Sequence, residues 1–441
     1  METTKEEFNK TQGFDTPTVF FKFTKLAGTT QSANLGHGFP DWQPPQFFLD
    51  SLQKHLKTGN FQYSNGRGLP KLSQAIADNY SGAYQRKINP STEVLVTNGA
   101  VSPLYSLFTA YLNKGDEAVT LEPFYDCYLP PVKFVGASLI GVPLIPPKKR
   151  DRKEYENISS WKKGDHDNWT VDMELLKKSL NEKTKILVLN TPNNPTGKIL
   201  NYEELKEIAK ILEKFPKIIV AMDEVYEYNL MSDLYEELPR MSNLPGMWDR
   251  TVTIHSFGKI FSITGIRLGC AIGAASIIKN LFPIYQYSVF CIFEPYQAAL
   301  ADCLERANLP YEGFKNYYAW LRDLYTKQRN HLIENLAICN GLDVDFYLPD
   351  GGFFLICDIS KHNPETKNCL EGDDTELQAK YTKDYKFLIN MANEKHVVAI
   401  PCSALFTPEN RIKYGQNYIR FAFCKKTETM DGAFRNFQKY S

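Results

Sequence analysis

Between residues 93 and 273 the chain alternates short aliphatic or β-branched runs with longer stretches that carry apolar residues on one helical face. The short runs predict strands over 93–97, 117–121, 138–143, 185–190, 218–223, 251–256 and 268–273. Residues 202–214 read as an amphipathic helix, with Leu205, Ile208, Ala209 and Leu212 on one side. Asn201 with Glu204 offers that helix a capping-box start. Alternation on this scale predicts an α/β domain with a mostly parallel sheet. From about Leu324 the pattern changes to one long helix followed by strand-like pieces over 352–358 and 418–423, which predicts a second, smaller α+β unit. The segment 150–170 is polar, rich in Lys, Asp and Asn, and is expected to be a surface excursion.

With 441 residues the chain has room for one large domain and a smaller one. Its 51 basic and 51 acidic residues cancel, which removes the electrostatic case for nucleic acid or an acidic membrane surface. No apolar run approaches a membrane span. The start, METTKEEFNK, is acidic and polar and suits neither a secretory signal nor an Arg-rich transit peptide, so a cytoplasmic location is expected. Nine dispersed cysteines argue for reduced thiols. No histidine falls at metal-ligand spacing beside cysteines, so no metal site is expected.

Five stretches carry candidate chemistry. Lys259 follows the strand-like run 251–254, where a lysine is costly unless its charge is paired or consumed. In "VTNGAVSPLYSLF", a strand ends at Thr97 and Asn98-Gly99-Ala100 opens a helix, a turn that presents backbone N–H groups to an anion or merely packs closely. In "NTPNNPTGK", Asn193-Asn194-Pro195 follows a strand's carboxyl end, where open α/β sheets bind ligands, although Asn/Pro turns are also ordinary. In "IIVAMDEVYEY", Asp223 ends an apolar strand and Tyr226 follows; a helix N-cap would satisfy that carboxylate equally well. "EPFYDCY" places an aromatic pair after another strand end. Together an Asp, an Asn, a Tyr, a Lys and an Arg share one sheet edge, the set that pyridoxal phosphate requires.

The chain resembles the fold-type I pyridoxal-phosphate aminotransferases, whose large domain has a seven-stranded mostly parallel sheet and is joined to a smaller α+β domain. Within them it is similar to the group of kynurenine–oxoglutarate aminotransferases, glutamine transaminase K and cysteine-S-conjugate β-lyases. The resemblance rests on "LGHGFPDW", "FQYSNGRGLP", "GDEAVTLEPFYDCY", "VLNTPNNPTGK", "DEVYEY", "SFGKIFSITGIRLG", "DGGFFLICDIS" and "YIRFAF". It implies a segment 1–48 that joins the small domain, a large cofactor domain over 49–323 and a small domain over 324–441. Lys259 would condense with the aldehyde of pyridoxal 5′-phosphate and later shuttle a proton. Asp223 would pair with the pyridine nitrogen, Asn194 and Tyr226 would bond the phenolate oxygen, and Tyr125 would stack on the ring. Ser256, Arg267 and the Gly99-Ala100-Val101 turn would bind the phosphate, joined by Tyr63 from the second subunit of a homodimer. Arg420, helped by Gly36 and Asn194, would clamp the substrate carboxylate, with Trp42, Phe290 and Phe353 as pocket walls.

Three positions depart from the group's pattern. Thr18 and Val101 stand where aromatic residues are expected, and Cys291 stands in place of a histidine. The expected activity is transfer of an amino group from a bulky or aromatic amino acid (kynurenine, phenylalanine, glutamine or methionine) to a 2-oxo acid. C–S β-elimination on the same lysine, and a non-catalytic ligand sensor, are the alternatives.

Overall fold

Successive residues of a strand face opposite sides of its sheet, and in the central strands both sets are apolar. Ile186 and Val188 pack into one buried layer, Leu187 and Leu189 into the other. Strands buried on both faces need helices on both, which is the parallel arrangement. The computed structural model, which describes residues 11, 14, 16–161, 164, 167–231, 234–373 and 375–439, has that architecture.

The strands are β1 (Ala33–Asn34), β2 (Val94–Asn98), β3 (Glu117–Glu122), β4 (Ser138–Pro143), β5 (Thr184–Asn190), β6 (Ile219–Asp223), β7 (Thr251–Ser256), β8 (Leu268–Gly273), β9 (Asp345–Tyr347), β10 (Phe354–Asp358), β11 (Val397–Val398), β12 (Ile400–Pro401) and β13 (Tyr418–Ala422). The seven-stranded sheet runs β2-β8-β7-β6-β5-β3-β4. Only β8 runs against its neighbours in it. Its strands end within one residue of their predicted bounds. β5, β6 and β7 are parallel and in register, so Asn190, Asp223 and Ile254 lie side by side at one carboxyl edge.

The helices include α1 (Val19–Thr29), α2 (Val101–Tyr111), α3 (Tyr202–Leu212) and α4 (Tyr317–Ile338). α3 forms with both halves of its capping box and buries Leu205, Ile208 and Leu212. It ends two residues before the predicted bound, where the Glu213 N–H tightens onto the Lys210 carbonyl at 3.3 Å. α4 begins at Tyr317 rather than near 324, because the Asn316 side chain caps it by accepting from the Ala319 N–H at 2.9 Å. The segment 150–170 is only partly the expected excursion. Tyr155, Ile158 and Trp169 are buried, and the Arg152 guanidinium bonds the carbonyls of Leu336, Cys339 and Leu342 around the end of α4.

A second, antiparallel sheet runs β12-β13-β10-β9 and pairs Arg420 with Ile356 and Ile400. β1 pairs in parallel with β11, and the Ala422 N–H reaches the Leu35 carbonyl at 2.6 Å. Residues 33–36 are thereby stitched beside Arg420. Among the described residues no helix is long and apolar enough to cross a membrane.

Behind the ends of β6 and β7 lies a buried polar network. The Arg240 guanidinium contacts Glu224 and, at 2.6 Å, Glu227. His255 Nδ1 lies 2.6 Å from Glu227, its Nε2 is 2.8 Å from the Tyr84 hydroxyl, and Tyr80 donates to Glu227. Burial, foremost, holds the His255 imidazole below its usual pKa, so neutral His255 donates from Nδ1 and accepts at Nε2. Glu224, Glu227 and His255 lie close enough together to hold a metal ion, but the guanidinium already contacts both carboxylates. Arg240→Met would leave the buried Glu224 carboxylate without its cation and take one of three partners from Glu227, at a cost of roughly 3–5 kcal/mol. It should lower the urea midpoint accordingly; a loss below about 1 kcal/mol would show that the pair is not a stabilising contact.

Candidate active site

The carboxyl edge of the large sheet, the small sheet and the segment after β1 enclose a cavity of about 350 Å³. Asp223, Lys259, Arg267 and Arg420 all line it.

At one end, β2 passes through Gly99 at φ +69° into α2, whose first turn has no side-chain cap. A Cβ on Gly99 would lie 2.3 Å from Arg267 Nη2, so glycine is what lets the guanidinium close over the turn. Arg267 itself has φ +62° and donates to the Thr264 carbonyl at 3.0 Å. Ser256, the last residue of β7, and Ala100 and Val101 complete this wall. Exposed helix N–H groups beside a cation and a hydroxyl form a cradle for a phosphate ester.

Asp223 terminates β6 and is buried. The Tyr128 hydroxyl donates to its Oδ2, and the Val225 N–H lies 3.4 Å from Oδ1. Burial, only partly offset by these donors and by Lys259, raises the carboxyl pKa to about 6. A cationic partner arriving here would restore full ionisation.

Lys259 lies in the short helix Phe257–Ile260 directly after β7. Its Nζ donates to the Gly38 carbonyl at 2.8 Å and sits 5.1 Å from the Phe353 ring centre and 5.6 Å from that of Tyr226. Burial, followed by repulsion from Arg420 and Arg267 among the lowering influences, pushes its pKa down to about 8. The amine is a base near neutrality rather than a permanent cation.

Arg420, 1 % exposed, is gripped at both ends of its fork. Nη1 donates to Asn194 Oδ1 at 2.9 Å and Nη2 to the Gly36 carbonyl at 2.8 Å. Its guanidinium carbon lies 4.0 Å from the Phe354 ring centre and 5.0 Å from that of Phe20. Among the described residues Nε has no partner. The Asn194 N–H is set by Asn190 Oδ1 at 2.6 Å, and Asn190 donates to the Asp223 carbonyl at 2.8 Å, which ties the arginine's holder to the acid's strand.

Of the residues expected at the site, Ala100, Val101, Tyr125, Asn194, Asp223, Tyr226, Ser256, Lys259, Arg267 and Arg420 line one cavity. Gly99 forms its turn and Gly36 holds Arg420. The expected walls Trp42, Phe290 and Phe353 lie outside this cavity. Trp42 lies outside the cavity; its Nε1 bonds Ser262 Oγ at 3.0 Å and its ring packs on Tyr325. Phe353 lies behind Lys259, and Phe354, one residue on and therefore on the opposite face, is the lining ring. Thr18 does not open the pocket: it caps α1, and Phe20 supplies the ring instead. Tyr63 and Phe290 are 81 % and 55 % exposed, with ring centres 5.1 Å apart on this chain's surface. Cys291 follows Phe290 and does not line the cavity either.

Sequence reasoning missed Tyr128, His37 and Phe20. Tyr128 stands three residues after Tyr125, one 3₁₀ turn on, a spacing that could have drawn attention to it. His37 stands between the two glycines whose carbonyls hold Arg420 and Lys259.

Residues 30–436 match the family model for aminotransferase class I and II. The chain is 35 % identical over 427 residues to the kynurenine–oxoglutarate transaminase of Dictyostelium discoideum, covering 96 % of this chain and 94 % of that one. It is also 35 % identical to human kynurenine–oxoglutarate transaminase 3, covering 96 % and 87 %. Among solved structures, Escherichia coli YbdL, with an identified methionine aminotransferase function, superposes with a TM-score of 0.80 at 26 % identity over 98 % of both chains. The N-succinyldiaminopimelate aminotransferase of Mycobacterium tuberculosis gives 0.81 at 29 % identity over 98 % and 99 %. The chain belongs to the class I and II aminotransferases, an enzyme family of fold type I.

Proposed function

We propose that this aminotransferase uses pyridoxal 5′-phosphate to move the amino group of a bulky or aromatic amino acid to a 2-oxo acid. One observation carries the reading: a single cavity holds a phosphate cradle, a buried acid, a lysine of lowered pKa and an arginine fork. These residues fit the cofactor. Ser256, Arg267 and the Gly99–Val101 turn would take the phosphate, Asp223 the pyridine nitrogen, Asn194 and Tyr226 the phenolate oxygen, and Tyr125 one face of the ring. Lys259 would take the aldehyde.

When bound, pyridoxal phosphate supplies the electron sink that makes the substrate Cα–H acidic. The protein does the rest. Asp223 keeps the pyridine nitrogen protonated, and the nearby positive charge keeps Asp223 ionised in return. Arg420 fixes the α-carboxylate with two parallel bonds that a lysine could not copy. Lys259, neutral enough near pH 8 to act as a base, removes the proton at Cα and returns it one position away. Phe20 and Phe354 pack on the guanidinium and keep water from it. With Val101, Leu104 and Tyr125, these two rings give the cavity a largely apolar wall suited to a large side chain. The relatives named for kynurenine support that substrate class.

The enzyme acts as a homodimer. Phe61, Tyr63, Tyr287 and Phe290 are 60 %, 81 %, 88 % and 55 % exposed, an aromatic surface suited to contact with a second copy. That contact carries Tyr63 to the neighbouring cavity.

The purified holoenzyme should be yellow, and its spectrum should change on adding phenylalanine, kynurenine or methionine. Aspartate or alanine leading while those three stay inert would defeat the substrate reading. Arg420→Ala should raise KM for every amino acid and oxo acid about tenfold or more, from a charge-assisted contact worth roughly 1.5–3 kcal/mol. A loss confined to one substrate would make Arg420 a side-chain contact instead. Light scattering should find a dimer at working concentration; a fully active monomer would overturn the shared-site reading.

A further inference from the structure

An aminotransferase binds its donor and its acceptor in turn in the same space. Relatives pair kynurenine with oxoglutarate, so on the reading just proposed, on which this inference rests, one wall meets first an apolar ring and then a second carboxylate. A permanent cation there would be desolvated without a counter-charge when the ring is bound. A wall with no cation would strand the carboxylate in the same way. A group that gains its charge only when the carboxylate arrives meets both demands, and histidine is the side chain whose ordinary range allows it.

Among the described residues lining the cavity, those able to carry positive charge are His37, Lys259, Arg267 and Arg420. The last three are engaged by the cofactor aldehyde, the phosphate and the α-carboxylate. His37 is left over. It stands between Gly36, whose carbonyl holds Arg420 at 2.8 Å, and Gly38, whose carbonyl holds Lys259 at 2.8 Å. Its ring packs edge-on against Phe39 at 4.8 Å.

The groups facing the imidazole come from several elements. On α1, Thr24 Oγ1 meets Nε2 and gives its own proton to the Phe20 carbonyl at 2.7 Å, so it accepts from an Nε2–H and leaves Nδ1 to be protonated. The Phe20 carbonyl itself favours protonation of the ring. Against that stand burial, which is the largest influence, then Lys425 just after β13, Arg420 on β13 and Lys259 after β7. These hold the imidazole below its ordinary pKa and therefore neutral at physiological pH. An incoming carboxylate would offset the three cations and raise it again.

We propose that His37 reads the second carboxylate of a dicarboxylic 2-oxo acid, gaining a proton as that carboxylate enters and staying neutral when an apolar side chain fills the cavity. It is a specificity-determining group and takes no part in proton transfer at Cα.

The test compares glutarate with pentanoate on the holoenzyme, by calorimetry in buffers of different ionisation heat. Glutarate should bind with net proton uptake, and pentanoate without it. The glutarate-to-pentanoate affinity ratio should fall as pH rises, by up to about tenfold per unit. In His37→Gln the uptake should vanish, and kcat/KM for 2-oxoglutarate relative to 2-oxohexanoate should fall about tenfold or more. If His37 only braces α1, both acceptors lose equally and the uptake persists, which overturns the proposal. Absence of turnover with every oxo acid in the unsubstituted holoenzyme would instead strike the aminotransferase substrate reading, and the calorimetry would still decide the role of His37.

Discussion

The site depends on holding cations still without neutralising them. Arg420 is gripped by an amide oxygen and a backbone carbonyl, Lys259 by a carbonyl and Arg267 by a carbonyl. Carbonyl dipoles fix the direction of these groups but leave their net charge available to an anion. The one acid among them, Asp223, has its Oδ2 occupied by the Tyr128 hydroxyl, so it too is kept for a later partner. The network around Arg240, which includes Glu224 next to Asp223 in sequence, follows the opposite rule: there the guanidinium meets two carboxylates and its charge is spent on structure.

That distinction rests on where the backbone goes. The segment Gly36–Gly38 supplies carbonyls to both Arg420 and Lys259, and it is placed by the β1–β11 pairing together with the bond from Ala422 of β13 to Leu35. Three separate parts of the chain therefore set one electrostatic environment. A shift of one of them would change the Lys259 amine and the arginine fork together.

Much of this was legible in the sequence because burial on both faces leaves a strong mark. The large sheet's strands are apolar at consecutive positions, so an Asp or Lys at the end of such a run stands out; Asp223 and Lys259 were found in this way. Other features left no such mark. Whether Phe353 or Phe354 faces the cavity depends on the strand's rotation, which two adjacent phenylalanines do not reveal. Phe20 rather than a residue at 18 closes the wall because Thr18 is consumed as a helix cap. Trp42 lies in a motif typical of the family, yet its indole turns to Ser262. Tyr63 and Phe290 lie on this chain's surface, where no property of their neighbours in sequence states what they meet. The buried side of the segment 150–170 was hidden because Tyr155, Ile158 and Trp169 are diluted among charged residues.

The grip of Gly36 on Arg420 joins residues 384 positions apart. On the ribosome, at about 5–20 residues per second, the segment carrying Gly36 emerges roughly 20–80 s before the strand that needs it. Throughout that interval the large sheet can assemble, because its strands lie between the two, but the arginine's holder has nothing to hold. The newborn protein passes through a stage with a nearly complete scaffold and no finished substrate clamp, and its last-made strand converts one into the other.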